Sequence, residues 1–271
     1  MKAKRQFGLH AYPFPKDAKG KTFFDKTPSY GRLQRAFAHL VEEPGLGVLT
    51  CDAGVGKTAG IRNECSKLPQ PDYQVTYLCD TNIAPVDLYR SLALELGVRP
   101  SHRRSQLWSD LKKALLHMVD ERGNHPLVVI DEAQHLSDSF LLDLSGFLNF
   151  AFDSRDLFTL WLVGLPPLTR RLHQLQHAAL RTRIATEVRL EPLDRDTFLA
   201  ALEHGFKAAG ANAATKIFSD QAAEMLYRAS RGTFRRAARL VRSSLRIAQE
   251  RGQSFLDEPV VQLAIDEMGD A

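Results

Sequence analysis

Nothing in this chain is built to cross a membrane as a helix. A transmembrane helix needs about 18 or more consecutive apolar residues, and no such run occurs in the 271 residues. The N-terminal stretch Met1-Lys2-Ala3-Lys4-Arg5-Gln6-Phe7 is basic but lacks the apolar core of a signal peptide. Cysteine is scarce: Cys51, Cys65 and Cys79 make an odd count with no C-x-x-C pair. That argues against a disulfide framework or a cysteine metal site and for reduced thiols in a cytosolic protein. Internal repeats and low-complexity segments are absent too. Neither charge sign is in large excess. The net charge is +4 with 25% charged residues, which permits a polyanionic partner without arguing for one. With 44% hydrophobic residues the chain has material for one large domain, or one large and one small.

What the sequence does have is a phosphate-binding pattern. Gly47-Val48-Leu49-Thr50 reads as a strand, residues 59–67 read as a helix, and Cys51-Asp52-Ala53-Gly54-Val55-Gly56-Lys57-Thr58 lies between them. This closely matches G-x-x-x-x-G-K-[ST]. The backbone N–H groups of Asp52, Ala53, Gly54, Val55, Gly56, Lys57 and Thr58, with the helix start at Ala59, would form a positive cradle for phosphates. Lys57 would reach the β- and γ-phosphates of ATP, and the Thr58 hydroxyl would hold Mg²⁺. Cys51 replaces the first glycine of the pattern. That position is less demanding than Gly56, where a side chain would block the phosphate, so the loop reads as competent. Cys51 is expected to make the loop sensitive to thiol reagents, with ATP protecting it.

A second motif fits the first. Leu127-Val128-Val129-Ile130-Asp131-Glu132 is an apolar strand ending in two acids. Asp131 is placed to hold Mg²⁺, directly or through water. Glu132, one residue on, is placed to polarise the water that attacks the γ-phosphate.

The rest of the chain reads as alternating strands and helices, followed by helices alone. Residues 1–30 are rich in aromatics and proline and form an arm expected to lie across the domain surface. Helices are expected at 30–41, 86–96, 106–121 and 137–152. Further strands are expected at 74–78, 158–163 and 185–190. This alternation implies a parallel sheet with helices on both faces. After Pro192 come only helices, near 194–209, 220–230, 234–250 and 258–268. The boundaries are therefore an arm over 1–30, an αβα domain over 31–191 and a helical subdomain over 192–271.

Between Met225 and Gln249 lie seven arginines and no acid. In the helix starting near Phe234, Arg235, Arg239, Arg242 and Arg246 fall on one narrow face, while Ala237, Leu240, Val241, Leu245 and Ala248 fall on the opposite one. Solvated faces usually mix charges, so this stripe suggests phosphate, nucleic acid or an acidic neighbouring subunit.

Together these motifs resemble an AAA+ ATPase, and the resemblance covers nearly the whole chain. It implies a P-loop fold with a five-stranded parallel sheet flanked by helices and a C-terminal all-α lid. Four strings narrow the resemblance to the MuB- and TnsC-like transposition regulators and the ATPase domain of ExeA-type secretion proteins. They are Phe7-Gly8-Leu9…Pro13-Phe14, Ile130-Asp131-Glu132-Ala133-Gln134-His135-Leu136, Leu162-Val163-Gly164-Leu165-Pro166 and Gly232-Thr233-Phe234-Arg235-Arg236. The resemblance implies that Arg235 contacts the γ-phosphate from the lid, with Arg236 as fallback. It implies that Arg181 or Arg183 serves as an arginine finger toward a neighbouring subunit. The fourth strand of such proteins usually ends in a polar residue, but Val163-Gly164-Leu165 offers none, so slow or partner-stimulated hydrolysis is expected. Transposition regulators are similar to this chain in length. They imply an ATP-dependent ring or filament of identical subunits on duplex DNA that marks target sites and recruits a transposase. In such an assembly His102, Arg103 and Arg104 would contact DNA phosphates, as would Arg239, Arg242 and Arg246, giving affinity without base readout. The alternatives are a secretion or envelope-assembly ATPase acting on protein partners, or a helicase loader.

Overall fold

The computed structural model describes Lys4, residues 6–211 and residues 217–269. Five strands form one parallel sheet: β1 (Leu46–Thr50), β2 (Tyr73–Leu78), β3 (His125–Ile130), β4 (Thr159–Gly164) and β5 (Ile184–Arg189). Their order is β2-β3-β4-β1-β5. Helices α1 (Pro28–Glu42), α2 (Lys57–Cys65), α3 (Pro85–Glu95), α4 (Arg104–Asp120), α5 (Asp138–Phe147), α6 (Pro167–Leu172) and α7 (Ala178–Arg181) are interleaved with the strands. Four more follow: α8 (Arg195–Ala208), α9 (Asp220–Ser230), α10 (Phe234–Glu250) and α11 (Glu258–Met268). This is the five-stranded parallel sheet flanked by helices, followed by helices alone, that the sequence led us to expect. The short helices α6 and α7 had too few residues for a helical period to be visible in the sequence.

The chain divides into two units. A sheet unit comprises Arg32–Cys51 and Glu64–Leu190, and a helical unit comprises Met1–Gly31, Asp52–Asn63 and Glu191–Ala271.

In the sheet unit, β4 is buried along its whole length and β3 from its second residue on, as central parallel strands must be. The edge strand β2 alternates instead, with Thr76 and Leu78 buried and Val75 and Tyr77 exposed. Tyr89, Trp108, Phe140 and Phe147 form an aromatic cluster joining α3, α4 and α5, with ring centroids 5.1–5.7 Å apart. Such contacts stabilise beyond the area they bury. The Ser137 hydroxyl caps α5 by accepting from the Phe140 N–H at 3.2 Å. The helix expected to reach residue 152 ends at Phe147, and Ala151, Phe152 and Asp153 take positive φ values of 48°, 56° and 66°. Leu148 and Phe150 lie beyond the helix, and the chain buries both by turning rather than by adding helix.

In the helical unit, Phe198, Leu202, Phe206, Leu226, Leu240, Val241, Leu245, Val260 and Val261 are buried together. Asp194, Ser219 and Asp257 cap α8, α9 and α11, each worth roughly 1 kcal/mol. The N-terminal arm packs within this unit. Phe7, Leu9 and Phe24 are buried in this same core, because burying large aromatics stabilises more than leaving them wet. The arm is fastened at several points. His10 N–H donates to the Ala209 carbonyl at 2.9 Å, and the Phe14 and Phe234 rings meet edge to face at 5.8 Å. Arg62 on α2 donates to the Lys16 carbonyl at 2.6 Å, and the buried Asn63 donates to the Tyr30 hydroxyl at 2.7 Å.

Candidate functional site

The phosphate-loop residues of the helical unit begin where β1 ends. Val55 N–H turns back onto the Asp52 carbonyl at 3.3 Å, α2 begins at Lys57, and Gly60 N–H closes its first turn onto the Gly56 carbonyl at 2.8 Å. Gly54 and Gly56 hold φ values of +86° and +125°, conformations that exact a steric cost from any residue with a Cβ. Lys57 is buried, only 7% exposed. A helix N-terminus preceded by a glycine-turned loop is a built anion site, so the cradle fits the triphosphate of ATP.

The start of α10 rests on this loop. Arg235 N–H donates to the Gly54 carbonyl at 3.1 Å. A Cβ added to Gly54 would fall 2.8 Å from Arg235 Cβ and 3.7 Å from its Cδ, so the arginine backbone and stem lie directly over the glycine. Two residues the motifs named separately, Gly54 and Arg235, are thus joined by main-chain contact, with the Arg235 side chain exposed. Cys51 is fully buried, whereas Cys79 is exposed. The expectation that Cys51 governs thiol sensitivity is therefore corrected. Its sulfur is shielded, and Cys79 is the thiol a reagent meets.

The sheet unit carries the acids. Asp131 follows β3 and is 2% exposed. Its Oδ1 accepts from the Glu132 N–H at 2.8 Å and its Oδ2 from the Tyr77 hydroxyl at 3.0 Å. Partial desolvation and the adjoining Asp131 charge push the Tyr77 phenol above its usual range, so Tyr77 remains a donor. Mg²⁺ is commonly held by one or two carboxylates together with phosphates and water, and a buried, oriented carboxylate suits that role.

Glu132 adopts the left-handed conformation, φ 53° and ψ 33°. The Thr81 hydroxyl donates to its carbonyl at 2.9 Å, and Gln134 Nε2 donates to its Oε2 at 2.7 Å. Gln134 Oε1 in turn accepts from the Leu165 N–H, just past β4, at 3.0 Å. Arg171 donates to the Gln134 carbonyl at 2.9 Å and to Asp138 Oδ1 at 2.5 Å. That bond from Arg171 holds the Asp138 carboxyl below its usual range. Tyr77, Thr81, Gln134 and Arg171 were not named from the sequence. Gln134 stood inside a quoted motif, but its partners come from β4 and α6.

The arginines fare unequally. Arg183 is ion-paired with Asp153, whereas Arg181 is exposed and donates to the His173 carbonyl at 3.5 Å. The stripe on α10 is not free of acid in three dimensions, as its sequence suggested. Arg246 pairs with Glu250 at 2.8 Å and with Glu267 of α11, acids lying beyond the acid-free stretch. Arg242 lies over the Tyr12 ring at 5.5 Å, and Arg239 is exposed. At the first residue of α4, Arg104 pairs with Asp143 at 2.6 Å and lies over the Trp108 ring at 4.7 Å. His102 and Arg103 are exposed.

Among the described residues no helix is long and apolar enough to cross a membrane. Residues 40–172 match the family model described as an AAA domain. General secretion pathway protein A of Aeromonas hydrophila is 28% identical over 232 residues, covering 83% of this chain. The chain spans 41% of that protein's length. Among solved structures, Cdc6p of Pyrobaculum aerophilum superposes with a TM-score of 0.73 at 17% identity, covering 95% of this chain and 72% of that one. The ORC1 protein of Aeropyrum pernix, solved in complex with DNA, gives a TM-score of 0.66 at 18% identity, covering 90% of this chain and 66% of that one. At these identities the two structures share the fold.

Proposed function

With an AAA domain over residues 40–172 as the premise, we propose that this protein is a cytoplasmic, Mg²⁺-dependent ATPase. In its ATP state it assembles with copies of itself on duplex DNA and supports transposition by marking target DNA and recruiting a transposase. The observation that carries the ATPase reading is the Arg235–Gly54 hydrogen bond of 3.1 Å. It fastens the first turn of the lid helix to the phosphate loop, so a phosphate seated in that loop acts on the lid directly.

Each residue has a role in this reading. Backbone N–H groups from Asp52 to Gly56, with Ala59 in the first turn of α2, orient the triphosphate, and Lys57 neutralises its β- and γ-oxygens. Thr58 and Asp131 hold Mg²⁺, which supplies charge neutralisation when bound. Glu132 takes the proton of the attacking water, a contribution of roughly 10²–10⁴ in rate. Arg235 reports the γ-phosphate to the lid. Arg181 is the better finger toward a neighbouring subunit, since Arg183 is held by Asp153.

DNA as the partner is supported by the exposed His102, Arg103, Arg239 and Arg242 and by the fold shared with an ORC1 protein solved on DNA. Arg104 and Arg246, already paired with acids, are weaker candidates. The second reading, an ATPase of secretion acting on protein partners, is favoured by the similarity to General secretion pathway protein A.

The experiment is duplex DNA binding by purified protein with ATP, ADP or no nucleotide at two salt concentrations, viewed in parallel by electron microscopy. Rings or filaments on DNA that need ATP and weaken with salt are expected. Tight ATP binding with no DNA binding in any nucleotide state would replace this reading with the secretion one.

A further inference from the structure

The end of β4 lacks a polar side chain of its own, because Val163, Gly164 and Leu165 occupy it. The site nevertheless has a polar group there. Gln134 reaches across from the turn after β3, accepts the Leu165 N–H at 3.0 Å and donates to Glu132 Oε2 at 2.7 Å. One amide thus ties the end of β4 to the carboxylate.

Gly164 makes this possible. A Cβ at residue 164 would stand 2.7 Å from Gln134 Oε1 and 3.2 Å from its backbone N. Any larger residue would push the amide out of its seat. The Gln134 backbone is held from the other side by Arg171, which donates to its carbonyl at 2.9 Å. The missing polar residue on β4 and the glycine in its place are therefore two halves of one arrangement.

From this geometry we propose that Gln134 is a positioning residue for Glu132 that does from the β3 turn what a polar side chain on β4 would otherwise do. Its donor grips one carboxylate oxygen and fixes the rotamer of the base, while its acceptor anchors the amide to the strand beside it. A carboxylate left to rotate samples unproductive orientations. A misplacement of about 1 Å can cost on the order of 10²-fold in rate. The inference rests on the assignment of Glu132 as the base, and its test separates the two.

The test is single-turnover ATP hydrolysis with DNA present, beside nucleotide affinity from a fluorescent ATP analogue. Gln134→Glu keeps the size of the side chain and its acceptor for Leu165 N–H but loses the donor to Glu132. A merely structural role would leave its rate native. The proposal expects Gln134→Glu and Gln134→Ala each to lose roughly 10- to 100-fold in rate with nucleotide affinity unchanged. Gly164→Ala, which displaces the amide, should lose a similar factor alone and much less in the Gln134→Ala background, where only the contacts with the residue 134 backbone N and Leu168 Cδ2, each 3.2 Å, remain. Native turnover by Gln134→Glu, or an additive Gly164→Ala effect, would overturn the proposal while leaving Glu132 as the base. Native turnover by Glu132→Gln would overturn the base assignment and this proposal with it.

Discussion

The phosphate loop and the acidic turn serve one proposed reaction but are built in opposite ways. In the helical unit the loop is made of backbone. Gly54 and Gly56 turn it, helix α2 supplies N–H groups, and even its tie to the lid is a main-chain bond from Arg235 to Gly54. In the sheet unit the acids are aimed by side chains, with Tyr77 on Asp131 and Gln134 on Glu132. A backbone site tolerates no added Cβ where it curves but is indifferent to many side chains. A side-chain site tolerates backbone variation but fails when one donor is lost. The two halves should therefore fail in different kinetic parameters.

The largest expected effect tests the side-chain half. Glu132→Gln should reduce the hydrolysis rate by about 10²–10⁴ while ATP binding survives, trapping the assembled state. Rapid-quench hydrolysis beside equilibrium ATP binding reads both. Next comes the backbone half. Gly54→Ala puts a Cβ on a residue at φ +86°, 2.8 Å from Arg235 Cβ. Holding a non-glycine residue in such a conformation costs about 1–3 kcal/mol, so ATP affinity should weaken roughly 10- to 100-fold. If Gly54→Ala spared affinity and slowed only chemistry, the contrast between the halves would collapse.

A smaller effect refines the side-chain half. Tyr77→Phe removes one hydrogen bond to Asp131 Oδ2. Such a bond is worth about 0.5–1.5 kcal/mol, more when the acceptor is charged. The Mg²⁺ concentration giving half-maximal hydrolysis should rise by roughly 3- to 10-fold, with affinity for metal-free nucleotide unchanged. An unaltered Mg²⁺ titration would mean that Asp131 is aimed by its backbone alone, as in the other half.

This contrast also explains what could be read from the sequence. Strand alternation, the five-stranded parallel sheet and the four-helix tail follow from periodicity and punctuation, which are local. The loop could be read because a backbone site leaves its signature in consecutive residues: glycine where φ is positive, then lysine and threonine. Asp131 and Glu132 were legible as types at a strand end. Their orienting partners were not, because Tyr77 and Thr81 come from other segments of the sheet unit, and Gln134, though only two residues on from Glu132, is seated by Leu165 just past β4. The anchors of the arm were illegible for a similar reason. Phe7, Leu9 and Phe24 show no period, yet all three are buried in the helical core. Helix α5 stopped short of its apolar run because Phe150 is buried by a turn with three positive φ values, and no propensity announces such a turn.

The basic residues give the smallest effect and the closest test of how far a sequence stripe survives folding. Arg239, Arg242 and Arg246 share one face of α10, but their environments differ. Arg246 is neutralised by Glu250 and Glu267, Arg242 leans on Tyr12, and Arg239 is exposed. A cation that contacts a DNA phosphate releases a counterion and contributes about one unit to the slope of log K against log salt. One already paired with acids must first leave them. Arg239→Gln should therefore flatten the salt dependence by about one unit and weaken binding alike on unrelated duplexes. Arg246→Gln should leave the slope unchanged. The comparison needs only fluorescence anisotropy over a salt series with ATP present. Equal slopes for both variants and the native protein would remove Arg239 and Arg246 from the DNA contact and leave Arg242, His102 and Arg103 as its candidates. An equal loss from both would mean that DNA displaces Glu250 and Glu267, making the stripe a gated rather than a standing phosphate surface.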